Sequence, residues 1–338
     1  GKITMKAALF TGLREIKVED VPTPKCQSNG VLVKVMASGI CGSDKWLYLT
    51  EGEKPGIHGH EAAGVVVEVG SEVTRLSIGD RVAVYDVVGC GKCTWCNRGQ
   101  FTRCPQKKGS VAGGYGEFLA CPERNALRLP DDISFERGCL LLDAMGTPAK
   151  AARRIGVAPG MKVAVFGCGP IGLNAVQVCA AMGAQVVALD PIAYRREAAV
   201  RLGADCALDP SADSVGEELL ELTGGGADRA LECSGNPEAE KLAIASVRPD
   251  GWVAIVGECR RLEISPSDDL IRRDVHIVGS WYLNVDDFYR NIELYRTSSA
   301  DPLRVVTHFV TLDAIERGFR IFCDRQEGCL KVVVRMPS

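Results

Sequence analysis

The sequence contains no apolar run approaching the roughly 18 residues that a membrane-spanning helix requires, so no helical span is expected. It has no excess of positive charge: the formal net charge is −3, which gives no electrostatic case for nucleic acid or an anionic membrane as partner. Its start lacks the apolar core and cleavage site of an export signal; Gly1–Thr4 reads as a tag remnant, with Met5 as the natural start. Internal repeats and low-complexity tracts are missing, which excludes solenoids and disordered tails. These absences lead to the expectation of a soluble, cytoplasmic protein.

What is present is an ordinary globular composition, 46% hydrophobic and 25% charged, over 338 residues, a length that calls for two domains. Thirty-seven glycines imply many tight turns. Fifteen cysteines is a high and odd number; in a long chain without an export signal it points to metal rather than to disulfides. Several, such as Cys179 and Cys206, fall in apolar helix or strand patterns and read as small core residues.

Two patterns divide the chain. Before about residue 140, short β-branched runs broken by glycine and proline (6–10, 30–37, 63–69 and 81–88) predict a β-rich, barrel-like unit. Past Pro148, apolar strands at 162–166, 185–189, 206–208, 229–232, 252–256 and 276–278 alternate with helical stretches at 171–182, 194–202, 214–222 and 237–247. Six such strands with helical crossovers predict a doubly wound parallel sheet, the Rossmann arrangement of the α/β class. The domains expected are 1–147, with a lobe at about 89–105; 148–286; and a tail, 287–338, that ends in a strand at 331–335 and rejoins the first domain.

The strand ending at Phe166 runs into Gly167-Cys168-Gly169-Pro170-Ile171-Gly172, and an acidic residue, Asp190, ends the next strand. Gly167 would make the tight turn, Gly169 would let the backbone approach a pyrophosphate, and Gly172 would allow close helix–strand packing. The following helix offers free N–H groups and the positive end of its dipole to phosphates. Asp190 would accept hydrogen bonds from ribose hydroxyls and repel a 2′-phosphate, favouring NAD; Arg195 and Arg196 nearby keep NADP open.

Cys90, Cys93, Cys96 and Cys104 form C-x2-C-x2-C-x7-C in a glycine- and lysine-rich stretch. Four thiolates so spaced can close a tetrahedral zinc shell, and a loop this poor in apolar residues draws its folding energy from the metal. Lys92, Arg98 and Arg103 are expected to offset its negative charge. A second set is scattered: Cys41 and Ser43 in Gly-Ile-Cys-Gly-Ser-Asp, His60 and Glu61 in Gly-His-Glu, and Asp143. Cysteine, histidine and carboxylate together can hold a metal with one position open, but spacing alone does not assemble them.

Taken together, these motifs in this order, with Gly79-Asp80-Arg81-Val82, resemble the zinc-containing medium-chain dehydrogenases over essentially the whole chain from Met5. The likeness is nearest in flavour to the polyol (sorbitol), threonine and cyclitol (scyllo-inosamine type) dehydrogenases. The resemblance implies a GroES-like β-barrel catalytic domain, completed by the C-terminal segment, with the Rossmann domain inserted. It implies a catalytic zinc held by Cys41 and His60, with Asp143 or Glu61 as the carboxylate ligand, and a structural zinc on the four cysteines. It implies Asp44 orienting His60, Ser43 taking the substrate proton, and Thr147, Cys233, Gly257, Ser280 and Trp281 lining the nicotinamide pocket. The activity implied is hydride transfer between a secondary alcohol (polyol, cyclitol or amino alcohol) and NAD by a homo-dimer or homo-tetramer, with residues 252–281 as the contact. Alternatives are an NADPH-dependent carbonyl reductase and a catalytically silent cofactor-binding relative.

The sequence departs from the family at Trp46, where many relatives carry a relay histidine. His58 reads as a surface residue rather than a ligand. Trp46 with Tyr48, and Trp281 with Tyr282, are candidates for a substrate wall or for core packing. Lys45, Glu51, Glu53 and Lys54 read as a polar entrance or a solvated loop.

Overall fold

In Thr4–Gly12, Met5 and Ala7 lie on one face and Ala8 and Phe10 on the other, all four buried, and the strand pairs antiparallel with Glu15–Pro22. The computed structural model describes residues 4–337; of the stretch Gly1–Thr4, Gly1–Ile3 lie outside the described residues, and Thr4 is strand, opposite Pro22. Glu15–Pro22 escapes notice in the sequence because its polar residues leave it largely exposed.

The chain divides into two compact units. The first holds residues 4–143, Asn284–Asp286 and 306–337. Its main sheet runs in the order Val306–Thr311, Lys331–Arg335, Gly30–Gly39, Glu61–Val69, Arg81–Val84, Ala126–Arg128, with Phe118–Pro122 also paired to Gly30–Gly39. Gly30–Gly39 is buried along nearly its whole length because strands flank it and the helix Phe135–Leu140 packs against it. Phe10, Val33, Tyr48, Val66, Tyr115, Leu119, Phe319 and Val332 fill the core. The strand read at 81–88 is two strands: after Val84 the chain turns, and Val87–Val88 pairs with Gly109–Ser110 at the base of the cysteine lobe.

The second unit holds Ala144–Leu283 and Asp287–Val305. Its six strands are all parallel, in the order Cys206–Leu208, Gln185–Leu189, Lys162–Phe166, Ala227–Glu232, Val247–Ile255, His276–Gly279. The order reverses beside Lys162–Phe166, the switch point at which doubly wound sheets bind ligands. The helix Val285–Thr297 belongs mostly to this unit, so the chain rejoins the first unit at Val306, later than the 287 boundary read from sequence. The reason is polar: Arg153 donates to Asp287 and to Asn291 at 2.9 and 3.0 Å. Among the described residues no helix is long and apolar enough to cross a membrane.

Candidate active site

In the second unit the dinucleotide motif sits at the switch point. Gly167 has φ of 84°, a left-handed conformation that glycine adopts without strain. At Gly172 a Cβ would collide with the Gly167 carbonyl, so the helix can approach the turn only without a side chain. The helix Pro170–Ala181 starts with proline at its first turn, and nothing lies within 4 Å of where a Cβ of Gly169 would be, leaving its N-terminus open for phosphates. The Asp190 carboxylate accepts from Cys168 N at 2.8 Å and Ile192 N at 2.9 Å, tying the glycine turn to the end of the neighbouring strand. Arg195 lies 3.8 Å from Asp190, and Arg196 turns to Asp209 at 3.1 Å. Cys233, Gly257 and Ser280 follow the C-terminal ends of Ala227–Glu232, Val247–Ile255 and His276–Gly279, the same sheet edge as the glycine turn. Thr147 is buried in the helix Asp143–Arg154, and Trp281 is 52% exposed, its carbonyl accepting from Lys150 at 2.8 Å.

Among the described residues the first unit contains two clusters of four donors, each with its ligand atoms within 4.8 Å of one another. One is Cys90, Cys93, Cys96 and Cys104. All are free thiols: Cys90 and Cys96 Sγ are 4.0 Å apart, and Cys104 Sγ accepts from Cys90 N at 3.3 Å. Cys93 caps the short helix Thr94–Asn97. Backbone N–H groups of Lys92 and Cys93 pull the Cys90 thiol down to about 6, while burial pushes Cys96 up to about 12. A set of thiols aimed at one point, with main-chain donors already stabilising thiolate, suits a tetrahedral soft-ligand metal. One of the expected cations, Arg103, and two that the sequence did not single out have defined partners. Arg103 stacks over Trp95, whereas Lys107 ties down the Cys104 carbonyl at 3.0 Å and Arg124 the Gly91 carbonyl at 2.8 Å.

The other cluster is Cys41, His60, Glu61 and Asp143. Cys41 follows Gly30–Gly39, His60 precedes Glu61–Val69, and Asp143 opens the helix Asp143–Arg154. The Cys41 thiol donates to Asp143 Oδ2 at 3.2 Å, and His60 Nε2 is 3.4 Å from the same oxygen. His60 Nδ1 lies 3.3 Å from Asp44 Oδ1, which fixes the ring with Nε2 toward Cys41 and Asp143. Burial and the Asp143 charge push the Cys41 thiol up to about 11. Burial disfavours charge on His60 too, but Asp44 and Asp143 outweigh it and hold the imidazole well above its ordinary value. A buried thiol, an imidazole and two carboxylates in one place are short of positive charge and offer the mixed S, N and O donors of an open zinc site.

Three residues of this neighbourhood carry no signal in the sequence. Tyr115 donates to Asp44 Oδ2 at 2.6 Å, completing the support of His60. Lys331, from the last strand, donates to Glu61 Oε1 at 2.8 Å. Asp86 is pushed up to about 6 by burial, with Asp143 adding to the shift. Each comes from a part of the chain distant in sequence, Lys331 on a strand and Tyr115 and Asp86 on connecting segments, so local spacing could not announce it. Ser43 is exposed in the short helical turn after Cys41.

Other readings are revised. His58 is not a surface residue: its Nε2 is buried and its ring lies edge-on between Phe10 (5.8 Å) and Trp46 (6.2 Å). Tyr48 is core, packed on Phe319 and donating to Glu316 at 2.7 Å, while Trp46 is 53% exposed. Lys54 is no entrance group; its buried ammonium ties together the carbonyls of Thr50, Glu51 and Gly52. Lys45 stands over the Phe322 ring.

With this geometry in hand, two family matches divide the chain: residues 27–131 match the alcohol dehydrogenase GroES-like domain and residues 170–297 the zinc-binding dehydrogenase domain. A sorbitol dehydrogenase of Bacillus subtilis (strain 168) is 36% identical over 349 residues, covering 98% of this chain and 97% of its own. The crystal structure of 2R,3R-butanediol dehydrogenase from Bacillus subtilis superposes with a TM-score of 0.88 at 32% identity, covering 99% of this chain and 100% of its own. A zinc-binding dehydrogenase from Sinorhizobium meliloti 1021, bound to NADP, gives 0.86 at 28% identity, covering 98% and 99%.

Proposed function

The chain belongs to the zinc-containing medium-chain dehydrogenase family of oxidoreductases, and we propose that it oxidises a secondary alcohol (a polyol, cyclitol or amino alcohol) reversibly with NAD. The observation that carries the reading is the partly buried convergence of Cys41, His60 and Asp143 around one point, with a carboxylate behind the histidine. A relative that acts on sorbitol and a structural neighbour that acts on butanediol support a vicinal-diol or polyol substrate.

In this reading Cys41, His60 and Asp143 hold the catalytic zinc, Glu61 stands beside them, and Cys90, Cys93, Cys96 and Cys104 hold a structural one. Bound there, zinc would supply the Lewis acidity that lowers the pKa of an alcohol hydroxyl, and NAD would accept the hydride from the carbinol carbon. The chain's own residues do the rest. Asp44 and Tyr115 keep the His60 ring oriented and its proton on Nδ1. Ser43, exposed two residues after Cys41, accepts the substrate hydroxyl proton and passes it toward the nicotinamide ribose. Trp46 cannot carry a proton onward, so the ribose hydroxyls, ordered water or another group such as His58 take it to solvent. Gly167, Gly169, Pro170, Ile171 and Gly172 seat the pyrophosphate at the helix N-terminus. Cys233, Gly257, Ser280 and Trp281, with Thr147, line the nicotinamide.

The preference for NAD rests on Asp190, whose carboxylate is fixed beside the glycine turn, where it would repel a 2′-phosphate. The second reading, a carbonyl reductase using NADPH, is favoured by Arg195 next to Asp190 and by the NADP-bound neighbour. The silent relative is disfavoured by the intact open cluster. Assembly as a homo-dimer or homo-tetramer through residues 252–281 remains part of the proposal and is read directly from the mass in solution.

The test is reduction of NAD⁺ and NADP⁺ at 340 nm over a panel of polyols, cyclitols, amino alcohols and simple alcohols, alongside metal analysis. Turnover with NAD⁺ that vanishes in Cys41→Ser is the expected result. Turnover with NADP⁺ alone would turn the reading to the reductase, and about one zinc per chain without turnover would turn it to the silent relative.

A further inference from the structure

The strand register brings together three residues that lie far apart in sequence. Val333 pairs with Gly39, and Gly39 pairs with Glu61, so Lys331 comes up beside Glu61 across three adjacent strands. Ile40 N donates to the Val332 carbonyl at 3.0 Å and locks that register at the residue before Cys41. Lys331 and Glu61 are 1% and 0% exposed. The Lys331 ammonium donates to Glu61 Oε1 at 2.8 Å and lies 2.8 Å from Oε2 as well. The other side of the carboxylate is walled off. A Cβ on Gly39 would overlap Oε2, and the Leu140 side chain closes the same pocket at 3.1 Å from that position.

The contrast with Asp143 is direct. Asp143 spends its carboxylate on Cys41 and His60, at 3.2 and 3.4 Å, whereas Glu61 spends its own on Lys331 although it lies in the same four-donor cluster. Two carboxylates therefore stand within reach of one metal, and a fully buried ammonium holds one of them back. A buried charge stripped of its partner seeks another, and the nearest cation for a released Glu61 would be the metal.

We propose that Lys331 is a positioning residue that parks Glu61 in the Gly39 pocket, so that Asp143 rather than Glu61 completes the protein ligands of the catalytic zinc. The proposal rests on the zinc reading above. Lys331 acts through Glu61; it touches neither substrate nor cofactor. Its consequence is a site in which a second carboxylate is available but withheld.

The experiment follows zinc release from the holoenzyme to excess chelator, and the visible absorption of cobalt(II)-substituted protein. Asp143→Ala is expected to release the Cys41-dependent zinc about 10- to 100-fold faster than the unmodified chain, because Lys331 keeps Glu61 from replacing the lost ligand. Adding Lys331→Met to Asp143→Ala is expected to restore slow release, since Glu61 is then free to bind. Lys331→Met alone should change the cobalt spectrum, and Lys331→Met with Glu61→Gln should return it to that of the unmodified chain. If Lys331→Met fails to fold, Lys331→Gln, of similar length and neutral, carries the same expectations. Equal release by Asp143→Ala with and without the Lys331 change would overturn the proposal, as would an unaltered cobalt spectrum with only a lowered Tm. A chain whose metal content is untouched by Cys41→Ser would instead overturn the zinc reading itself, and the two failures are thereby told apart.

Discussion

The two donor clusters of the first unit are built in opposite ways. Cys90, Cys93, Cys96 and Cys104 come from one short loop with one short helix, and their support is mostly local, main-chain N–H groups and Lys107, with Arg124 reaching in from farther along the chain. Cys41, His60, Glu61 and Asp143 come from the ends of two strands and the start of a helix, and beyond Asp44, which sits close to Cys41, their support is remote: Tyr115 and Lys331. A loop poor in apolar residues takes its shape from the ion it binds. A site carried on a packed barrel is shaped before any ion arrives, so it can tolerate an open position and asymmetric ligands. In the proposed reading, four thiols serve one cluster as folding energy, and a thiol, an imidazole and carboxylates serve the other as chemistry.

The largest expected effect breaks that division at its catalytic side. Cys41→Ser should cost at least about 1,000-fold in turnover, because the Lewis acid is worth several kcal/mol and each 1.36 kcal/mol is tenfold. Its structural zinc should stay in place on metal analysis. Cys93→Ser is the mirror experiment. It should lose the lobe's metal and lower Tm, with kcat per retained catalytic zinc within about tenfold of the unmodified chain, the range ascribed to indirect effects. A loss of catalysis as deep as that of Cys41→Ser would show that the two clusters are not separate in role.

The support of His60 is sharpened next. Asp44→Ala should weaken metal binding about 10- to 100-fold, measured by competition with a chelator, and Tyr115→Phe should do so by less, since one hydrogen bond is worth about 1 kcal/mol. In the second unit Asp190→Ala should raise kcat/KM for NADP⁺ by at least about tenfold relative to NAD⁺, because a like charge facing the 2′-phosphate costs more than 1.4 kcal/mol. The smallest change is Tyr48→Phe. It removes the bond to Glu316 and should lower stability by about 1 kcal/mol in urea titration while leaving KM unchanged, as befits a core residue rather than a substrate wall.

The legibility of the sequence follows the same line. The strand Lys331–Arg335, the first Rossmann strand at Lys162–Phe166 and the helix at Pro170–Ala181 announce themselves through short apolar runs and flanking glycines. The hairpin strand Glu15–Pro22 does not, because its residues face water on most sides and carry little apolar pattern. His58 and Lys54 look like solvated loop residues in one dimension. In the fold one is wedged between aromatic rings and the other braces a loop by donating to three carbonyls.

By itself the sequence determined what depends on neighbours along the chain: the alternation of strand and helix, the glycine turn with its acidic partner, and the four-cysteine lobe. Each is a motif whose physics is complete within about thirty residues, the span of one βαβ unit. Only the tertiary structure decided which carboxylate faces Cys41 and His60, which group orients the histidine, and that a lysine from the last strand pairs with Glu61. The lysine pairing is made by strand register, set by burying one face of each strand against the whole sheet, and the other two by where a helix and a turn pack against that sheet, rather than by any local spacing.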